Sequence, residues 1–99
     1  STSRGLGDVY KRQRKDRKQY QEILNSLAEI IPQDRMQRPG HMNYIVSLLI
    51  EKVYGKEMRY ADHNEVMGFL NCIALEFYRR KTSPYEDLKI GEEGDLADL

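Results

Sequence analysis

Three stretches in which apolar residues recur at three- and four-residue steps predict an all-α fold, a compact three-helix domain with helices over about 16–31, 40–54 and 62–81. Proline and glycine punctuate the chain where such helices must start or stop, at Pro32, Pro39, Gly55 and Pro84. A strand is conceivable only at Met58–Tyr60, and it would lack an obvious pairing partner. With 99 residues there is room for one domain, and a domain of that size buries a modest fraction of its surface. Self-association or partner binding is therefore an expectation from length alone.

The first helix carries Tyr20, Ile23, Leu24, Leu27, Ala28 and Ile31 on one stripe, with Asp16 and Gln19 placed as a capping pair at its start. Pro32 disfavours helical dihedrals at Ile31, so the helix ends there and Gln33–Arg38 forms a polar loop. Pro39 suits the first turn of the second helix, where its missing N–H costs nothing. Met42, Ile45, Val46, Leu49, Ile50 and Val53 form the second stripe, widened by Tyr44 and Leu48, an arc broad enough to be packed on two sides. Gly55 follows in position to close the helix in a left-handed conformation, and Lys56–Ala61 is a short connector.

Asp62 with Glu65 three residues on predicts the start of the third helix, and Val66, Met67, Leu70, Ile73, Ala74, Phe77 and Tyr78 its apolar face. Arg79, Arg80 and Lys81 then fall in its last turn, where positive charge complements the helix dipole. Pro84 is expected to stop the helix. Beyond it the segment 85–99 reads as a loop-like acidic tail, partly disordered, with little to bury.

Formal charge sums to zero but is segregated. Residues 1–19 hold seven Lys/Arg against two acids, and residues 85–99 hold one Lys against six acids. The single cysteine, Cys72, excludes an internal disulfide and any paired-cysteine metal knuckle; beside Ile73 it reads as a small buried hydrophobe. No apolar run approaches the roughly 18–20 residues of a membrane span, so no membrane partner is expected. No secretory signal is visible, so the expected setting is the cytoplasm of a cell or a particle assembled there.

Sites for chemistry are wanting. His63-Asn64-Glu65 matches the H-x-E element of zinc deaminases, but that metal site also needs a cysteine pair the chain does not have. His41 and His63 lie far apart without a third ligand, so no metal, cofactor or catalytic residues are assigned, and the chain is not expected to be an enzyme. Seven tyrosines, two phenylalanines and no tryptophan make tyrosine the main aromatic filler, with Tyr44, Tyr60 and Tyr78 expected to pack. The candidate recognition residues are Arg79, Arg80, Pro84, Tyr85, Glu86 and Asp87, charged and aromatic groups crowded at a helix exit beyond what packing requires. In the simplest reading, the basic run forms a local salt bridge with the acids as the chain turns back at Pro84.

Two resemblances bear on this reading. Asp8-Val9-Tyr10-Lys11-Arg12-Gln13, read back into codons, resembles the end of a transposon adapter used in preparing sequencing libraries. That implies residues 1–13 are a translated scar, 14–84 the helical domain and 85–99 the tail. Without residues 1–13 the chain holds 13 basic and 15 acidic residues and is mildly acidic.

The second resemblance rests on Gly40-His41-Met42-Asn43-Tyr44, on Tyr78-Arg79-Arg80 closing a helix, and on Pro84-Tyr85-Glu86-Asp87-Leu88-Lys89-Ile90. These resemble a family of small phage-encoded proteins with G-x-L-N-Y, Y-R-R and P-Y-E-D-x-K-I elements. The chain departs from that family at Met42, where Leu is usual, and at Glu93-Gly94-Asp95-Leu96, where the family has N-G-D-V. The resemblance implies a viral setting and no activity. The expected function is thus that of a phage accessory protein acting by contact with an unknown phage or host protein, with a homo-oligomer possible. The alternative is a nucleic-acid-associated protein using Arg79, Arg80, Lys81 and the basic cluster Arg14–Lys18.

Overall fold

From Lys11 to Gln19 every residue but Asp16 is Lys, Arg or Gln, all good helix formers, and nothing there interrupts the backbone ladder. In the computed structural model, which describes the backbone of residues 2–95 and the side chains of Arg14 and residues 16–95, this stretch lies inside α1, Thr2–Ile30. The helix expected from about residue 16 therefore begins far earlier, and Asp16 sits in its interior instead of capping it. It ends where Pro32 requires, with Ile31 already bent.

Asp34 organises the connection to the next helix. Its Oδ1 accepts the Met36 backbone N–H at 3.0 Å, and its carbonyl accepts those of Gln37 and Arg38 at 3.1 and 2.8 Å. This side-chain-closed turn feeds α2, Arg38–Tyr54, with Pro39 in the first turn as expected. Gly55 closes α2 at φ +86°, donating its N–H to the Glu51 carbonyl at 2.7 Å.

The next helix, α3, spans Tyr60–Phe77 and starts two residues before Asp62. Asp62 does not cap it. It stands in the third helical position and reaches back, its Oδ2 accepting the Arg59 backbone N–H at 3.0 Å. The expected partner Glu65 instead lies with Asp62 near Tyr54, whose phenol is pushed above its usual pKa by desolvation first and then by these two negative charges. Met58–Tyr60 is not a strand, since Tyr60 opens the helix; the described residues are all helix or connector.

Pro84 does not end the third helix. A π-helical turn over Tyr78–Thr82 follows Phe77 directly, and α4, Ser83–Glu93, continues from it. The loop-like tail expected past Pro84 is thus helical to Glu93, held by Lys89 contacts to Glu92 and Glu93 at 3.6 Å each. Gly94 closes α4 at φ +84°, its N–H reaching the Ile90 carbonyl at 2.8 Å. The disorder expected at the end of the tail falls partly on residues 96–99, which lie outside the described residues.

The fold is all-α, as predicted, and divides into two compact units, Ser1–Leu49 and Ile50–Leu99. In the first, Leu27, Ile31, Pro32, Ile45, Val46 and Leu48 are half-exposed. In the second, Ile50, Tyr54, Met58, Val66, Phe69 and Leu70 are half-exposed, and the Tyr54 and Phe69 rings stack with centroids 6.4 Å apart. Among the described residues no side chain is buried. Met42, Leu49 and Val53 on the broad face of α2, and Met67, Ile73, Leu75 and Phe77 on α3, all stand open.

Candidate functional site

The residues singled out in the sequence converge on the π turn. Proline has no N–H to donate and its ring crowds the carbonyl four residues earlier, so Pro84 cannot sit in an uninterrupted α-helix without cost. One extra residue in the preceding turn removes that conflict. The Ser83 N–H reaches back five residues to the Tyr78 carbonyl, and Pro84 falls in the first turn of α4, where no N–H is required. Such turns are rare and occur often at functional sites.

The insertion also re-aims side chains. In a regular helix residues eight apart lie about 80° apart around the axis. One added residue brings them within about 20°. Tyr78 and Glu86 accordingly meet, the phenol donating to Glu86 Oε2 at 3.2 Å. That hydrogen bond, followed by the Glu86 charge, desolvation and the more distant Asp87, raises the Tyr78 pKa.

Arg79 and Arg80 are not at a helix end, because the helix runs on through the π turn; the dipole role expected for them is absent. Nor do they bridge to Glu86 and Asp87 across a chain reversal. Both turn to Glu76, Arg79 Nη2 lying 3.0 Å and Arg80 Nε 2.8 Å from its Oε2. The Arg79 hydrogen bond, then its charge, holds the Glu76 carboxyl below the usual range, with Arg80 adding to the effect. Tyr85 lies under Lys89, whose Nζ is 5.8 Å from the ring centroid. Tyr85, Glu86, Lys89, Ile90 and Glu93 line a shallow hollow on α4.

The structure joins three of the six candidates through two neighbours outside that set, Arg79 and Arg80 through Glu76 and Glu86 through Tyr78, while Tyr85 pairs with Lys89. The Glu76 pairing was readable, since Arg79 and Arg80 follow it by three and four residues. The Tyr78–Glu86 pairing was not, because it depends on the inserted residue. Cys72 is exposed, as are Tyr44, Tyr60 and Tyr78, so the packing expected of them is not found. Among the described residues no group of three His, Cys, Asp or Glu is placed to hold a metal ion, and no helix is long and apolar enough to cross a membrane.

Fold and site together define a small all-helical protein with open apolar faces and a charge cluster wrapped around a π turn. Residues 11–96 match the family described as Domain of unknown function (DUF6899), and the chain belongs to that family. No curated protein and no solved structure matches it.

Proposed function

We propose that this is a small accessory protein of a tailed phage that works by protein–protein contact, in the host cytoplasm or on the virion, without chemistry of its own. The observation that carries the reading is the open apolar face of α3, where Ile73 and Phe77 are 59% and 63% exposed and no described side chain is buried. Covering a leucine-sized side chain is worth about 1.5–3 kcal/mol, so a face of several such residues favours an occupant. The viral setting is supported by the resemblance of the Tyr78–Ile90 segment to small phage-encoded proteins. Residues 1–13 are read as foreign, on the adapter resemblance.

The nucleic-acid alternative is weakened by Glu76. Its carboxylate engages both Arg79 and Arg80, which leaves the cluster less free to meet phosphate. A photoreactive phenylalanine analogue at position 73, in cells expressing the full chain, tests the reading. Covalent protein adducts are expected on irradiation. Adducts to nucleic acid alone, or none, would contradict it.

A further inference from the structure

The second unit presents a continuous helical face whose charges complement themselves. Along α3, Val66, Leu70, Ile73 and Phe77 follow one another at steps of three and four. A regular helix would carry Tyr85, eight residues past Phe77, about 80° off that line. The π turn returns it to within about 20°, by the same one-residue insertion that joins Tyr78 to Glu86. Val66, Leu70, Ile73 and Phe77 therefore form an apolar stripe, half-exposed at Val66 and Leu70 and open beyond them, and Tyr85 returns to its line past the polar residues Lys81 and Thr82.

Charge on the flank of this stripe is arranged about a centre. Glu76 and Arg80 stand four residues apart, joined at 2.8 Å, on one side of the helix and equally spaced about Tyr78. A twofold contact pairs residue i of one copy with j of the other and j with i. In an antiparallel pair of these helices with its axis at Tyr78, residue 76 is level with residue 80 of the second copy. Each carboxylate then meets the other copy's guanidinium, twice over, while Arg79 remains with its own Glu76. The same axis sets Ile73 level with position 83 of the second copy, so that it packs beside that copy's Tyr85. A parallel pairing would instead set Glu76 against Glu76 and Arg80 against Arg80.

We infer that the α3–π–α4 face docks on a second copy of itself, as an antiparallel helix pair centred on Tyr78 and registered by reciprocal Glu76–Arg80 contacts. The inference deepens the protein-contact reading and rests on it. Sedimentation equilibrium of the full chain should show a reversible dimer. Glu76→Arg and Arg80→Glu each set like charges opposite one another across the axis and should weaken it about tenfold.

An equimolar mixture of the two variants is the decisive arm. Each carries like charge on its own flank and opposite charge toward the other, so a one-to-one heterodimer should form at least as tightly as the original. An effect confined to the intrahelical pair would not be rescued by mixing, and circular dichroism of each variant reports whether its helices persist. Ile73→Glu should abolish the dimer in either background. A full chain that stays monomeric at about millimolar concentration, or variants that fail to pair on mixing, would overturn the inference. Protein adducts at position 73 from such a monomer would leave the broader reading standing; their absence would remove both.

Discussion

Tyr78 and Glu86 are eight residues apart and share a hydrogen bond of 3.2 Å, a pairing that an unbroken α-helix would forbid. The π turn between them exists because Pro84 follows it. A backbone irregularity that accommodates one imino acid thus sets which side chains share a face for two turns on either side.

Replacing Pro84 by Ala should remove the reason for the π turn. The helix is expected to relax to regular α geometry, rotating α4 relative to α3 and parting Tyr78 from Glu86. Titration of the Tyr78 ring by NMR should then show its raised pKa falling back toward the ordinary phenol value. An unchanged Tyr78 titration would mean that something other than the proline holds the turn.

Glu76 supplies a pH dependence of known sign. Its folded pKa is depressed, by the Arg79 hydrogen bond first, so its stabilising contribution is complete above the usual carboxylate pKa. That contribution is lost as pH falls through the depressed folded value. The difference in helix signal between the native chain and Glu76→Gln should be steady near neutrality and vanish in acid. A difference that persists in strong acid would rule out the ion pair as its source.

Helix-end residues allow a check on local energetics. Gly55→Ala forces a left-handed backbone on alanine and should cost about 1–2 kcal/mol. Asp62→Ala strips the Arg59 N–H of its acceptor and should cost about 1 kcal/mol. Denaturant unfolding measures both; equal stability of either variant would show that its helix end frays in solution.

The chain begun at Arg14 should show no retention on DNA or RNA even at low salt. It is mildly acidic, and two of its basic groups are held by Glu76. Salt-dependent retention would restore the nucleic-acid reading.

How much of this was legible in the sequence follows from the range of the interactions involved. Pro32, Pro39 and Gly55 act within a residue or two of their own position, and the helix ends they imply are where the structure puts them. The start of α3 was misplaced by two residues because Asp62 can serve either as a cap or from the third helical position, and only backbone geometry distinguishes the two. Pro84 misled more seriously. A proline that ends a helix and one that follows a π turn look alike in sequence, so α4 and the Tyr78–Glu86 contact were both hidden. Periodicity marks apolar stripes on α2 and α3 but omits Phe69, the α3 residue whose ring stacks on Tyr54. It could not reveal that this chain leaves them uncovered, because a stripe meant for a partner has the same spacing as one meant for the core.

Self-docking of the face carrying Ile73 and Phe77, by a second copy of the chain, is the proposal with the sharpest consequence. The unfolding midpoint of the purified full chain, followed over about a hundredfold range of concentration, tests it most directly, because only association makes that midpoint depend on concentration. A self-docking face requires the midpoint to rise steadily with concentration, and the rise to disappear in Ile73→Glu. A single cooperative transition with the same midpoint at every concentration would contradict it.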